Sequence, residues 1–237
     1  MARRKSELAD KAYNYLLERI IGFEILPGEV ISDSNVANLL EMSREPVREA
    51  FMRLEAEGLL ERGKHSVHCA ELSLDDIKEI CQLRSALESL AVELIKEKGG
   101  LSSSQKEELT FVMGEMKKNT VSMITDVDSS KVRYHWDDVF HSTIVQFSGN
   151  KRLINMFSLM QLQISRARWL NIISPRTEAS MDEHEKIFNA LLEDNYDACI
   201  NLVKEHIRAS EENFIRIINS PEYRMVYAGM SMMGKSK

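Results

Sequence analysis

Residues 43–50 read SREPVREA, and this short stretch decides the fold. Ser43 is a suitable helix N-cap, and Pro46 falls in the first helical turn, where a missing N–H group costs little. The inward face of this helix is apolar at helical spacing and comprises Val47, Ala50, Phe51 and Leu54. The stretch therefore predicts an amphipathic helix whose first turn is polar and basic.

The segments on either side predict two more helices and a small hairpin. Residues 8–21 carry apolar side chains at helical spacing and end at a Pro27-Gly28 turn. Ser32 or Ser34 can cap a second, short helix. After Gly58, apolar residues flank the polar tip 63–66, as in a hairpin. Three short helices followed by a hairpin indicate a winged helix-turn-helix.

The remainder of the chain has a different organisation. Helical periodicity predicts six helices, at about 74–98, 103–124, 128–148, 150–171, 177–193 and 195–219. We expect three parts: a DNA-binding domain at 1–72, a helical domain at 73–222 and a tail at 223–237. The fold class is therefore mainly α, with an N-terminal winged helix-turn-helix and its β-hairpin wing followed by an all-α six-helix bundle.

Charge and composition limit the possible functions. The formal net charge is −6, and residues 1–71 carry ten Lys and Arg against thirteen Asp and Glu. Strong non-specific nucleic-acid affinity is therefore not expected, since it comes from neutralised phosphates. The three cysteines form no paired motif, and we find neither a membrane span nor an export signal. We expect a cytoplasmic protein without a membrane partner.

The polar face of the helix after Ser43 is a candidate for reading DNA. Arg44 and Arg48 are four residues apart and can reach the same groove, where arginine pairs with guanine O6 and N7. Glu45 could accept from cytosine or repel phosphate. The candidate DNA contacts are Ser43, Arg44, Glu45 and Arg48 at the start of the helix, together with Lys64 and His65 at the wing tip. The alternative is a solvated, salt-bridged helix face.

This region resembles the GntR family of regulators. SREPVREA, followed by LEAEGLL at 54–60, is similar to that family's "SR-x-PVREA … L-x-x-x-GL" pattern, and Pro27-Gly28 matches its Pro-Gly turn. The resemblance covers about residues 8–70. It implies double-stranded operator DNA as the partner and DNA contacts at Ser43, Arg44, Glu45 and Arg48.

Three histidines in the predicted bundle are candidate metal ligands. His141, His184 and His206 fall in three different helices, and Asp137 lies one turn before the first. Burying these groups unpaired is costly, and a divalent cation would hold all four. Three nitrogens and one oxygen suit zinc, nickel, manganese or iron. The alternative is three histidines that are separately hydrogen-bonded or exposed.

The second half of the chain resembles the FadR-type (FCD) ligand-binding domain. DDVFH at 137–141, SGN at 148–150 and EHEKIFNAL at 183–191 are similar to its motifs, and six helices resemble its VanR-like branch. The resemblance implies a metal on Asp137, His141, His184 and His206. It also implies a small carboxylate effector that faces Arg84, although Arg84 could instead simply pair with Glu88.

We therefore expect a homodimeric repressor whose operator binding responds to a small organic acid. A single DNA-binding head makes too few base contacts for useful specificity, which favours a two-fold dimer. Two other functions stay open from the residues alone. One is a metal-dependent enzyme that uses the three histidines and the aspartate, and the other is a DNA-binding dimer without metal.

Overall fold

The computed structural model describes residues 2–22, 24–64, 66–121, 127–168 and 176–223. The chain divides into two compact units, one that ends at Ser73 and one that spans Leu74–Tyr223. His65 and all but the first residue of the predicted tail 223–237 lie outside the described residues. The fold is mainly helical with one small sheet, as the sequence predicted.

The N-terminal unit consists of three helices and three short strands. These elements are α1 (Ala2–Ile21), β1 (Val30–Ile31), α2 (Asp33–Leu39), α3 (Arg44–Ala56), β2 (Leu60–Arg62) and β3 (Val67–Cys69). Both α1 and α2 pack against α3. The buried faces of α1 and α3 form the core, with Leu16 and Leu54 fully enclosed. This packing fixes which side of α3 faces solvent.

The wing contains one strand that the sequence did not predict. The predicted hairpin is present as β2 and β3, which pair antiparallel with Leu60 opposite Cys69. A third strand, β1, pairs with the other edge of β3, with Val30 opposite His68. Two residues are too few to show the alternation by which a strand is recognised. The sheet therefore ties the loop before α2 to the wing.

Helices α2 and α3 end in the same backbone motif with different residues. After α3, the amide of Leu59 donates to the carbonyl of Leu54 at 2.8 Å, and Gly58 between them has a φ of 71°. After α2, Met42 donates in the same way to Ala37 at 3.0 Å. Here the left-handed position, with a φ of 52°, is held by Glu41. Glycine adopts this conformation without penalty, whereas glutamate does not.

The second unit is a bundle of six helices among the described residues. Their bounds are α4 (Leu74–Glu97), α5 (Ser103–Val121), α6 (Val127–Phe147), α7 (Lys151–Arg168), α8 (Thr177–Leu192) and α9 (Tyr196–Ile218). Helix α4 packs against α6, α7 and α9, while α8 packs between α5 and α9. Helices α4, α6, α8 and α9 therefore surround one region of the interior.

That interior contains more polar groups than an ordinary apolar core. Its buried ionisable side chains include Arg84, Glu88, His141, His184 and His206.

The three cysteines of the chain are also buried and carry free thiols. None of the described helices combines the length and the apolar composition that crossing a membrane requires.

The helix-end motif shared by α2 and α3 predicts opposite changes in stability for substitutions at its two left-handed positions. Gly58→Ala should destabilise α3 by about 1–2 kcal/mol, since a Cβ is disfavoured at positive φ. Glu41→Gly should stabilise the end of α2 by up to about 1 kcal/mol, because it relieves the same penalty. Amide hydrogen exchange of Leu59 and Met42 measures both effects. Faster exchange at Met42 in Glu41→Gly would contradict the prediction.

Candidate functional site

The first candidate site is the outer face of α3. Ser43 precedes the helix in an extended conformation and makes no side-chain capping hydrogen bond, although its position is the predicted N-cap. Val47 is fully buried, whereas Arg44, Glu45 and Arg48 are exposed. The amphipathic pattern therefore presents a polar first turn to solvent.

One carboxylate holds both arginines of this face. The Nη2 of Arg44 donates to Oδ1 of Asp33 at 2.7 Å, and the Nε of Arg48 donates to Oδ2 of the same residue at 2.8 Å. The arginine side chains remain 55% and 63% exposed. Hydrogen bonds from Arg44 and then Arg48 hold the pKa of Asp33 below its usual value. The face is thus solvated and salt-bridged, with its guanidinium groups still accessible.

An open groove of about 580 Å³ lies between α3 and the wing, and Arg48, Met52, Arg62 and Lys64 are among its lining residues. Arg62 is paired with Glu55 on α3, at 2.6 Å between Nη2 and Oε1. Lys64 is exposed on the wing, while the neighbouring candidate His65 lies outside the described residues. Of the predicted contacts, Arg48 on the helix and Lys64 on the wing therefore border one groove.

The second candidate site is a cluster of three buried histidines. His141 on α6, His184 on α8 and His206 on α9 each offer one ligand nitrogen, and these nitrogens all lie within 4.8 Å of one another. The Nε2 atoms of His141 and His184 are 3.0 Å apart. The three helices thus bring together the residues that the sequence singled out in separate segments.

A carboxylate from the turn before His141 reaches the same cluster. The Oδ1 of Asp137 lies 3.3 Å from Nε2 of His184, and its Oδ2 lies 3.9 Å from Nε2 of His141. The adjacent Asp138 instead accepts hydrogen bonds from the side chains of Gln161 and Ser165 on α7. Contact geometry therefore places Asp137, and not its neighbour, beside the imidazoles.

Two further carboxylates orient the histidine rings from outside. The Nδ1 of His141 donates to Glu88 at 2.8 Å, and the Nδ1 of His206 donates to Glu183 at 2.8 Å. Because an ionised carboxylate only accepts, Nδ1 of each ring carries a proton, and the Nε2 atom is left to face the cluster. Such outer carboxylates are the usual partners of metal-binding histidines.

Arg84 lies beside this cluster and is almost completely enclosed, at 2% exposure. Its Nε donates to Glu88 at 2.6 Å, so the pairing considered from the sequence is present. Its Nη2 has no hydrogen-bond partner among the described residues. Burial alone would lower the pKa of Arg84, but Glu88 and Asp137 outweigh it and raise that pKa. A buried cation with an unused donor can receive an anionic oxygen.

Burial also governs the charge of the histidines. It lowers the pKa of His184 well below the usual value, with a further contribution from the charge of His206. It likewise lowers the pKa of His206, followed by the effect of His141. At neutral pH both rings are therefore neutral, the form that binds metal. Three imidazoles and one carboxylate fit a divalent transition metal.

The sequence did not reveal the roles that three residues have in these sites. Asp33 was not named at all, and Glu183 was quoted only as part of a motif. Glu88 was named as a partner of Arg84 but not of His141. Of these three, only Glu88 could be placed from the sequence, because it lies four residues after Arg84 and can pair with it on one helix face.

Two family models match the chain. The model described as bacterial regulatory proteins, gntR family, matches residues 8–66, which include α3 and most of the wing. The FCD domain model matches residues 79–209, which include Arg84 and all three clustered histidines.

The chain also matches curated transcription regulators along most of its length. It is 30% identical to YdhC, an HTH-type transcriptional regulator of Bacillus subtilis, over 83% of this chain and 84% of that protein. It is 27% identical to the Nta operon transcriptional regulator of Aminobacter aminovorans, over 84% and 90% respectively. It is 24% identical to RspR, an HTH-type transcriptional repressor of Escherichia coli, over 86% and 88%.

Solved structures share the fold at low sequence identity. Escherichia coli McbR/YncC superposes with a TM-score of 0.73 at 19% identity, over 90% of this chain and 99% of that one. A GntR transcriptional regulator from Rhodococcus sp. RHA1 gives a TM-score of 0.69 at 19% identity, over 87% and 97%. At this identity the likeness concerns the fold alone.

Proposed function

This chain belongs to the GntR family of bacterial regulatory proteins and carries an FCD domain, and from that premise we propose that α3 reads operator DNA under the control of a metal-dependent effector site. The protein is a DNA-binding transcription regulator, and its families and curated relatives are regulators rather than enzymes. The residues that make the contacts, the metal and the effector belong to the proposal.

The observation that carries the DNA-reading role is the accessibility of two guanidinium groups at the start of α3. Arg44 and Arg48 lie on the solvent face of a helix whose other face is buried. A helix that enters the major groove by its N-terminus presents such first-turn side chains to base edges. Ser43 can donate to a phosphate, Glu45 can select cytosine, and Lys64 with His65 can contact the backbone from the wing.

For the effector domain, we propose a divalent metal held by Asp137, His141, His184 and His206. The converging nitrogens and the ring orientation set by Glu88 support this ligand set. Zinc, nickel, manganese and iron all accept such donors. When bound, the metal would supply a Lewis-acidic position for an anionic oxygen.

We propose a small carboxylate as the effector, with Arg84 as its protein anchor. The unused Nη2 of Arg84 and its place beside Asp137 and the histidines support this role. Glu88 holds the guanidinium in place through Nε and leaves the other edge of the group to the ligand. To act as a switch, the effector must bind the DNA-competent and DNA-incompetent states with different affinities.

A two-fold homodimer in the cytoplasm completes the proposal. A dimer doubles the base contacts and matches a palindromic operator. Large apolar side chains on the mutually packed helices α4 and α7 are exposed in the single chain, namely Leu83, Leu90, Met156 and Leu159. Large exposed apolar side chains on neighbouring helices support a surface that another subunit covers. We propose repression as the outcome of operator binding.

Arg48→Ala is expected to weaken operator binding by about 1–3 kcal/mol, roughly 5–150-fold, and to relax one base position. The physical reason is the loss of one bidentate contact to guanine. Selection of duplexes from a randomised pool by the native protein and by the variant measures both effects. Arg208→Ala is the matched control, because it removes an exposed arginine from α9. Unchanged base preference in Arg48→Ala would contradict the groove placement.

Combined His184→Ala and His206→Ala substitutions are expected to weaken zinc binding by at least about 100-fold, since two ligands are lost. Zinc titration of purified protein, with the metal quantified after dialysis, measures this. His135→Ala is the control, since this exposed histidine lies on α6 with His141 but outside the cluster. DNA binding without effector should be preserved in the double variant. Native zinc affinity in a folded double variant would disprove the metal site.

A further inference from the structure

The two candidate reading arginines are not free in the DNA-free protein. Asp33 binds Arg44 through one carboxylate oxygen and Arg48 through the other, and both bonds are shorter than 3 Å. Asp33 is the first residue of α2, whose N-cap is Ser32, so the carboxylate is fixed to a packed element. Any DNA group that takes either arginine must compete with this carboxylate.

We propose that Asp33 determines specificity by holding Arg44 and Arg48 against capture by the phosphate backbone. This inference rests on the proposed DNA-reading role of α3. A backbone phosphate met anywhere on DNA offers the arginine one anion in exchange for another. A guanine edge offers two aligned acceptors at the bottom of the groove, where the rest of α3 also fits. The negative charge of Asp33 therefore weakens the attraction of both guanidinium groups to an anionic phosphate more than their hydrogen bonding to a neutral guanine edge.

The charges around α3 agree with this role. Arg62 in the wing is paired with Glu55, and Arg53 is paired with Asp10 on α1 at 2.6 Å. Together with the excess of acidic residues in positions 1–71, these pairs leave little unneutralised positive charge to attract phosphates. Non-specific affinity depends on the number of phosphates neutralised and falls steeply with salt. A DNA-binding face built in this way favours discrimination over overall affinity.

Asp33→Asn tests the proposal, because it removes the charge and keeps the shape of the side chain. Affinity for a shuffled duplex should rise about 10-fold at low salt, and the slope of log affinity against log salt should steepen by one to two units, as expected for one or two further phosphate contacts. Affinity for a duplex selected by the native protein should change by less than about 3-fold, because the guanine edge is neutral and its hydrogen bonds to arginine depend less on the charge of Asp33. The specific-to-non-specific ratio therefore falls.

Two matched variants separate this role from a general charge effect. Asp10→Asn removes the same charge from the same unit but frees only Arg53, so it should leave the ratio and the salt slope near native values. Asp33→Glu restores a carboxylate and should recover most of the native ratio. Thermal unfolding of each variant checks that α2 and α3 remain folded.

The proposal would be overturned if Asp33→Asn left both the ratio and the salt slope unchanged, or if Asp10→Asn altered them equally. A failure of the DNA-reading role itself gives a different result. In that case the native protein would not distinguish the selected duplex from the shuffled one, and Arg48→Ala would have no effect on either. That outcome overturns both the DNA-reading role of α3 and the specificity role of Asp33. If the native protein discriminates but Asp33→Asn changes neither the ratio nor the salt slope, only the role of Asp33 is overturned.

Discussion

The proposed DNA-reading role depends first on the packing of one face of α3. Val47 and Leu54 are completely enclosed, and α1 covers this side of the helix. With 3.6 residues per turn, burial of that face commits Arg44 and Arg48 to the opposite one. The same short stretch therefore provides both the core of the N-terminal unit and its basic outer surface.

In the second unit, the constraint is compensation of buried polar groups. Arg84, Glu88 and His141 are each at most 2% exposed, and hydrogen bonds link them in a chain. An ionised group in such surroundings is tolerated only when it is paired. Burial alone would raise the pKa of Glu88, but Arg84 and His141 outweigh it and keep that pKa low. The pairing holds the imidazole ring in one orientation, which is what ligand binding requires.

The features that follow from local periodicity could be predicted from the sequence. Those that arise only when distant segments pack together could not. The helices of both units follow from apolar spacing, and the three histidines stood out as polar residues on inward faces. The two-residue strand β1 was too short to show a pattern. Asp33 precedes Arg44 and Arg48 by 11 and 15 residues and meets them only through the packing of α2 on α3. Likewise, only the contacts in the folded chain show that Asp137, and not the adjacent Asp138, lies beside the histidines.

Methylation interference on a duplex selected by the native protein tests the placement of α3 most directly. Methylation of guanine N7 blocks the major-groove acceptor that arginine uses, whereas methylation of adenine N3 blocks the minor groove. If Arg44 and Arg48 enter the major groove, guanine N7 methylation at symmetric positions in two half-sites should abolish binding. Interference confined to adenine N3, or absent from every guanine N7, would show that α3 does not read the bases.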